Sequence, residues 1–286
     1  MAPKRDEHII EAIGRCRIVI RDGNVVEVGE AQIKDCPLAR RFACPIPDIT
    51  PESVKKNIEH RINAFGMCTP HREVLDDREF VGFGASEILS FGLAAGLIDA
   101  VVLVCDGAGT VVVAKPGLVQ GIGGRMSGLV STTPIPAVMD RIEEQGGLIL
   151  DRENAPLDQV AGVTLAVENG YRRIAVTVAL PKDAVSIRRI HPSTIIFGVH
   201  VTGLTREEAE SLVSSADLVT SCASKTIRDA AGPGALVQAG VAIPIFAMTD
   251  AGKELIIQKI RQGKEPVLVK PTKLPSLTGE QPSPLV

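Results

Sequence analysis

The sequence predicts an α/β protein: a mostly parallel sheet with helices on both faces, plus a smaller N-terminal α+β region that bears cysteines. Hydrophobic residues make up 45% of the 286 residues, but there is no Trp, one Tyr and seven Phe. The interior must therefore be built from Val, Ile, Leu and Ala, which is typical of buried parallel strands flanked by helices. The second part of the chain alternates apolar runs with helical patterns, and this alternation favours right-handed strand-helix-strand crossovers.

The N-terminal region is predicted to contain two helices and a hairpin. The first helix is expected over residues 6–13. The β-rich runs 16–21 and 25–28 flank a glycine turn, which is typical of a hairpin. Thr50 is followed by proline at the first helical position, so a second helix should begin there and end at Gly66.

The main region is predicted to alternate helices and strands after a helix of small residues over 85–96. Thr205 and Glu208 form a capping-box pattern, which predicts a helix start. The predicted strands cover residues 100–105, 148–150, 174–178, 195–199, 218–221 and 243–248. The predicted helices cover residues 157–169, 184–190, 205–215, 225–230 and 250–260.

These patterns divide the chain into three parts. Residues 1–80 form the N-terminal α+β region with its cysteines, and residues 81–262 form the α/β domain. The C-terminal extension, residues 263–286, is expected to be partly disordered because it is rich in proline.

Composition and charge argue against two classes of partner. Lys and Arg total 31 against 34 Asp and Glu, a net charge of -3, so a surface that binds nucleic acid is not expected. No apolar run approaches the roughly 18–20 residues that span a bilayer, so a membrane protein is not expected. The charged N-terminus resembles no export signal, which predicts a cytoplasmic protein with six free thiols. The sequence does not indicate an oligomeric state.

Side chains with catalytic potential follow several predicted strands. Ligands of open parallel sheets bind beyond the carboxyl ends of the strands, where helix N-termini present free N–H groups. We therefore expect catalytic roles for Asp106, His200 and Cys222. Small or cationic neighbours would contact a cofactor or ligand, and these candidates are Gly107, Gly109, Ser224 and Lys225. The alternative is structural, because a buried cysteine often packs as a small apolar residue and a histidine often bonds only locally.

A glycine-rich segment with one arginine is a candidate anion site. Its glycines could present backbone N–H groups while the guanidinium binds a phosphate or carboxylate. These candidate residues are Gly121, Gly123, Gly124 and Arg125. The spacing matches a dinucleotide fingerprint only loosely, and it is not a Walker sequence. A flexible or tightly packed loop is the alternative interpretation.

Six segments resemble, in order and spacing, the methanogenesis marker protein 8 family. They are residues 35–38, 65–69, 104–110, 121–129, 200–204 and 222–225. The similarity runs from about Ile18 to Ile260. It implies a cytoplasmic protein of methane-producing archaea, linked to methanogenesis by occurrence and not by a known reaction.

Four of the six cysteines fall in the matching segments: Cys36, Cys68, Cys105 and Cys222. Methanogen chemistry is rich in metal centres, so the resemblance raises the possibility of a shared site in which these thiolates bind an iron-sulfur cluster or zinc. The spacing itself contains no CxxC pair, so the fold would have to assemble such a site.

Three functions remain open from the sequence. The first is an enzyme or assembly factor that acts on a methanogenic cofactor or metalloenzyme through the thiolate site. The second is a metal-free enzyme or binding protein for an anionic small molecule, held by Arg125 and Lys225, with Cys222 or Cys105 as nucleophile and Asp106 or His200 as acid or base. The third is a noncatalytic partner that docks on a methanogenic protein complex through its N-terminal cysteine region.

Overall fold

The structure is a computed structural model that describes residues 6–126, 128–264 and 266–286. Its strands are β1 (Glu7–Ala12), β2 (Cys16–Arg21), β3 (Asn24–Val28), β4 (Ala100–Cys105), β5 (Gly109–Val113), β6 (Gly128–Ser131), β7 (Leu148–Ile149), β8 (Ile174–Val178), β9 (Ile195–Gly198), β10 (Leu218–Thr220), β11 (Val237–Ala239) and β12 (Ile245–Ala247). Its α-helices are α1 (Pro51–Phe65), α2 (Ala85–Ala94), α3 (Pro116–Gly123), α4 (Pro136–Glu144), α5 (Gln159–Glu168), α6 (Pro181–Ile190), α7 (Arg206–Ser215), α8 (Lys225–Ala231) and α9 (Asp250–Gln262).

The larger of two sheets has eight strands in the order β11-β12-β10-β9-β8-β4-β5-β7. Its central strands β10, β9, β8 and β4 are parallel to one another. Both edges are antiparallel, because β12 and β11 extend one side and β5 and β7 extend the other. The predicted α/β class is confirmed, with parallel pairing concentrated at the centre of the sheet.

Helices cover both faces of the eight-stranded sheet. Successive residues of a strand point to opposite faces, so Val101 and Leu103 pack with α2, α3, α4 and α9. Val102 faces the other side and packs with α5, α6, α7 and α8. Both cores are mostly aliphatic, as the composition predicts, and each contains one fully buried phenylalanine, Phe197 or Phe246. In the part of the chain that the structure describes, no helix is both long enough and apolar enough to cross a membrane.

The smaller sheet is antiparallel and has the order β3-β2-β1-β6. The predicted helix over residues 6–13 is wrong, because this segment forms β1. His8, Ile10 and Ala12 are buried in alternation with more exposed residues, which is the period of a half-buried strand. The predicted hairpin is confirmed as β2 and β3. The fourth strand, β6, comes from the later part of the chain and pairs with β1 at Ile10 and Leu129.

The predicted start and end of α1 are confirmed. Thr50 Oγ1 accepts a hydrogen bond from Ser53 N at 3.2 Å, and Ser53 Oγ accepts one from Thr50 N at 2.9 Å. The helix ends at Gly66, which has φ +73°. A Cβ atom at this glycine would overlap with the carbonyl group of His71, so only glycine fits here. Its apolar residues Val54 and Ile58 pack in the core of the smaller sheet.

Several elements of the main region are not predicted by the sequence, and β5 shows why. Residues 106–108 form a tight turn after β4, and Gly107 and Gly109 hold positive φ values of +82° and +69°. The chain then returns antiparallel to β4. All five residues of β5 are buried, so their pattern has no period that distinguishes a strand. The sequence also does not predict helices α3 and α4.

The C-terminal extension lacks helices in its described residues but bonds to the body of the protein. Ser283 N donates to Asp35 O at 2.9 Å, and Ser283 O accepts from Lys34 N and Asp35 N. Val286 O accepts from Lys225 N at 2.8 Å, and Val286 N donates to Ala223 O at 2.9 Å. The extension therefore connects the loop before Cys36 with the loop after Cys222.

Candidate functional site

A recess of about 120 Å³ lies at the carboxyl ends of β4, β8 and β9, where the sequence predicts a ligand site. Val104, Ala179 and His200 line it from the ends of these strands. The N-terminal parts of α2 and α5 and the segment that leads into β6 form the remaining walls. Its polar lining side chains include Ser86 and Gln159. We call this cavity the strand-end recess.

His200 stands at the rim of the strand-end recess in a strained conformation. Its φ is +55°, a region that side chains other than glycine seldom adopt and that is often stabilised at functional sites. The imidazole contacts solvent, yet enclosure by the walls lowers its pKa below the ordinary value, so it is neutral at pH 7. Within the described residues it forms no side-chain hydrogen bond. In this neutral form one ring nitrogen can accept a hydrogen bond or a proton, and the other can donate a hydrogen bond.

Glycine at position 128 allows the smaller sheet to approach this histidine. A Cβ atom there would lie 3.5 Å from His200 Cγ and 3.0 Å from Glu11 O. The contact brings β6 against the strand-end recess, so residues of both sheets form one wall. Met126 and Leu129 belong to this wall, whereas Ser127 lies outside the described residues.

Cys222 lies next to His200 and near Cys36, and both cysteines are free thiols. Burial, the largest cause, and the nearby Cys36 together raise the pKa of the Cys222 thiol to about 12, against the opposing effect of Arg228. The backbone N–H of His200 is near enough to the Cys222 sulfur to lower the pKa of this thiol. Cys222 has φ +40°, so two neighbouring candidates share an unfavourable backbone conformation. The fold thus joins a loop of the N-terminal region to the end of β10.

Among the described residues, several buried polar atoms without a hydrogen-bond partner belong to residues close to Cys36 or Cys222. Buried polar atoms nearly always have a hydrogen-bond partner, so exceptions indicate a site for a ligand or water. In the described part of the chain, four buried atoms without a partner belong to residues in or near these two loops: Asp35 Oδ1, Thr220 Oγ1, Ser221 Oγ and Arg228 Nε. The Arg228 guanidinium also donates to Cys222 O at 2.7 Å.

Asp106, a predicted acid or base, lies in a buried ion pair. Arg72 Nε is 2.9 Å from Asp106 Oδ1, and neither side chain is exposed. Burial by itself would raise the pKa of Asp106. The Arg72 guanidinium and the Cys68 N–H, which donates to Oδ2 at 2.6 Å, lower it by more, so the pKa lies below its ordinary value and the carboxylate is ionised at neutral pH. The structure thus places this carboxylate in the interior, where it orients Cys68 and Arg72.

Cys68 and Cys105 are buried beside this ion pair. Burial raises the pKa of the Cys68 thiol well above its ordinary value, and the Asp106 carboxylate raises it further. Burial raises the pKa of Cys105 as well. The Cys105 thiol donates to the backbone oxygen of Asp106 at 3.4 Å. Both residues are therefore protonated thiols in an inaccessible part of the protein.

Arg72, His8 and Thr132 are site residues that sequence reasoning missed. The Arg72 guanidinium also donates to backbone carbonyl groups of α3, including Gly121 O at 3.1 Å. Thr132 Oγ1 lies 2.6 Å from His8 Nδ1 and accepts from Gly107 N at 2.8 Å. These contacts join segments far apart in the chain, so no local pattern indicates them.

The glycine-rich segment is packed and does not form an open loop. Gly121 and Gly123 belong to α3, and a Cβ atom at Gly121 would overlap with the backbone of Val74. Gly124 follows at the helix end. Arg125 Nη2 lies 2.7 Å from Asp76 Oδ2, so protein carboxylates already bind this guanidinium. Arg125 Nη1 also lies 3.1 Å from an oxygen of Glu73.

The remaining binding candidates have local partners. Ser224 Oγ accepts from Ile227 N at 3.2 Å and caps α8. The exposed ammonium of Lys225 forms an ion pair with Asp229 on the same helix. Gly107 and Gly109 shape the turn between β4 and β5. None of these four residues lines the strand-end recess.

The four predicted metal ligands are arranged as two pairs. Cys36 lies close enough to Cys222 to raise the pKa of its thiol, and Cys105 has the same effect on Cys68; all four are free cysteines. Among the residues that the structure describes, no three His, Cys, Asp or Glu side chains are grouped so that they could hold one metal ion. The arrangement does not fit a four-thiolate site, and a metal or cluster at these cysteines stays a prediction.

Comparison with known proteins identifies an archaeal family. Residues 8–261 match the family model DUF2099, which is described as an uncharacterized protein conserved in archaea. An uncharacterized protein of Methanocaldococcus jannaschii is 43% identical over 284 residues, which cover 98% of this chain and 100% of the relative. Neither description names methanogenesis or a reaction.

Proposed function

Since the chain belongs to the archaeal family DUF2099, whose description states no activity, we propose its function from the geometry of the site. The protein is an enzyme that binds a small molecule in the strand-end recess and uses His200 for proton transfer. One observation carries this proposal: a neutral imidazole, in a strained conformation and without a hydrogen-bond partner among the described residues, at the carboxyl ends of parallel strands. Such positions hold the ligands of open α/β sheets.

Each neighbouring group has a defined part in this proposal. The neutral imidazole of His200 takes a proton from a C–H, N–H or O–H group of the substrate and returns it to the product or to water. The Cys222 thiol is protonated at neutral pH, so it serves as a hydrogen-bonding neighbour and not as a resting thiolate nucleophile. The polar side chains of Ser86 and Gln159, which line the recess, would bond polar atoms of the substrate.

The substrate is proposed to belong to methane metabolism in the archaeal cytoplasm. Two observations support this context: the resemblance to the methanogenesis marker protein 8 family and the relative from Methanocaldococcus jannaschii. A thiol-dependent metal or cluster is a further possibility for the Cys36–Cys222 pair. The experiment below therefore includes a metal measurement on protein prepared without oxygen.

The proposal is tested with small molecules extracted from methanogen cells. Purified protein is incubated with this extract, and mass spectrometry follows which compounds it converts. We expect His200→Gln to lower the conversion rate by about 100-fold or more, because general acid-base catalysis contributes about that factor. His191→Gln is the matched control, since His191 lies at the end of α6 and contacts Thr164.

Two results would contradict the proposal. Equal conversion by the wild type and His200→Gln would remove His200 from the reaction. A stoichiometric metal, or a cluster absorption band, that is lost in both Cys36→Ser and Cys222→Ser would replace the metal-free mechanism with a thiolate site.

A further inference from the structure

A second, larger cavity of about 590 Å³ lies between α1, the end of α3 and the connection over residues 73–80. Its volume is in the range of cavities that enclose small organic ligands, which is about 300–1,000 Å³. It shares no lining residue with the strand-end recess. Phe42, Phe65 and Phe80 all line it, so we call it the phenylalanine cavity.

Aromatic side chains are concentrated at this cavity. The whole chain has seven Phe, one Tyr and no Trp, yet three of the seven Phe line this one space. The ring centroids of Phe42 and Phe80 are 5.8 Å apart, and the two planes are tilted by 42°. Aromatic faces of this kind bind flat rings by stacking or edge-to-face contact.

Arg61 provides a cation without a carboxylate partner. Its guanidinium stacks on Phe42 at 5.1 Å from the ring centroid, and no hydrogen bond or ion pair joins it to another described residue. Burial lowers the pKa of Arg61 to about 10. An enclosed charge is costly unless it is paired, so this guanidinium favours an anionic partner from outside the chain.

The other arginines that line the cavity differ from Arg61, because they form ion pairs with protein carboxylates. Arg125 and Arg78 both bind Asp76, at 2.7 Å and 3.0 Å. The carboxylate of Glu79, on the same wall, lies 2.5 Å from the ammonium of Lys259. These charges are neutralised within the protein, whereas no carboxylate in the described part of the chain neutralises that of Arg61.

Two amides of the wall keep an unused acceptor. Asn57 Nδ2 donates to Cys44 O at 2.8 Å, and Gln120 Nε2 donates to a carboxylate oxygen of Glu87 at 3.2 Å. These bonds fix the amide orientations, so the oxygens are the free atoms. Among the residues that the structure describes, Asn57 Oδ1 and Gln120 Oε1 have no hydrogen-bond partner. Acceptors without donors favour a ligand that carries N–H or O–H groups.

We propose that the phenylalanine cavity binds a nucleotide-sized molecule that combines a flat heteroaromatic ring with a phosphate or carboxylate group. The ring lies against Phe42 and Phe80, and Arg61 binds the anionic group. Ring or sugar donors face the amides of Asn57 and Gln120. This site is separate from the proton-transfer site at His200 and does not depend on it.

The test uses 8-anilinonaphthalene-1-sulfonate, a flat aromatic anion whose fluorescence rises in apolar cavities. The four nucleoside monophosphates, adenosine and inorganic phosphate are then used as competitors. We expect at least one monophosphate to displace the dye at least 10-fold more effectively than either phosphate or adenosine, because only it contains both the ring and the anion. Equal competition by phosphate alone would overturn the assignment of the ring, and no competition by any monophosphate would overturn the proposal.

Two variants assign the binding to this cavity. Arg61→Gln should weaken the competing monophosphate at least 10-fold and leave adenosine unchanged. Ala64→Trp fills the cavity from an exposed position of α1 and should abolish dye binding. The matched control is Arg206→Gln, because Arg206 is exposed and lies on α7. Circular dichroism confirms that each variant is folded, and unchanged binding in both Arg61→Gln and Ala64→Trp would overturn the proposal.

Cys44 gives an independent readout because it lines the cavity. A bound monophosphate should slow alkylation of Cys44 by iodoacetamide at least fivefold, while Cys36, which does not line the cavity, reacts at its original rate. Equal protection of both cysteines, or of neither, would overturn the assignment.

Discussion

Arg72 binds Asp106 through two contacts of Nε, at 2.9 Å to Oδ1 and 3.2 Å to Oδ2, with both side chains fully buried. Removing one partner would leave the other charge buried and unpaired. We expect Arg72→Leu to lower the free energy of unfolding by about 3–5 kcal/mol, as measured by urea titration. The double variant Arg72→Leu with Asp106→Leu should recover part of this loss. A double variant less stable than Arg72→Leu would contradict this account.

The same ion pair should make stability depend on acid pH. The folded protein holds the pKa of Asp106 below its ordinary value, so the stabilising effect is present above about pH 4 and is lost as the pH falls through the folded pKa. We expect the stability difference between the wild type and Asp106→Asn to shrink as the pH is lowered from 5 toward 2. A constant difference over this range would show that the carboxylate contributes no charge-dependent stability.

We expect Gly121 to be required for the packing of α3 and not for the binding of an anion. Its Cβ position coincides with the backbone of Val74, so Gly121→Ala forces α3 away from the connecting segment. We expect a loss of about 1–3 kcal/mol in unfolding free energy. Gly82→Ala is the control, since nothing lies within 4 Å of a Cβ atom there. Equal stability of both variants would show that the segment shifts without cost.

Arg125→Lys tests the two roles considered for this residue. Lysine keeps the charge but loses the planar group that contacts Asp76 through both Nε and Nη2. We expect the unfolding free energy to fall by about 1–2 kcal/mol. Unchanged stability combined with weaker phosphate binding in an equilibrium titration would instead support a ligand-binding role.

Cys222 should react slowly with alkylating reagents. Its pKa of about 12 leaves few thiolates at pH 8, whereas an unfolded cysteine with a pKa near 8.5 has many. We expect iodoacetamide to modify Cys222 on the order of a thousandfold more slowly in the folded protein than in urea, as followed by peptide mass spectrometry. A folded rate close to the rate in urea would mean that the thiol is more acidic and more exposed than the structure indicates.

Local signals explain which elements the sequence predicts. Thr50 and Gly66 mark the ends of α1 because capping and a positive φ are properties of a few adjacent residues. The capping box of Thr205 and Glu208 is confirmed for the same reason. The helix predicted at residues 6–13 fails because the partners that make it a strand, β2 and β6, lie elsewhere in the chain.

In the candidate site, too, the sequence predicts features that depend on adjacent residues and misses contacts between distant segments. The sequence could indicate His200 as a site residue because it directly follows an apolar run. Such a run predicts a strand, and a residue just after a strand lies at the edge of the sheet where ligands bind. The sequence could not show that Asp106 faces Arg72, since ion pairs between distant segments depend on packing. It also could not separate the four cysteines into two pairs, because that division depends on how the loops of Cys36 and Cys68 pack against distant parts of the chain.

The pairing of β1 with β6 constrains how the protein is made on the ribosome. Synthesis delivers β1, β2 and β3 first, but the fourth strand of their sheet is complete only at Ser131. Until then one edge of β1 has backbone N–H and C=O groups without partners, and such an edge readily pairs with another chain. A nascent chain that ends before residue 128 therefore exposes a strand edge that β6 covers in the finished protein, and we expect this form to aggregate more readily.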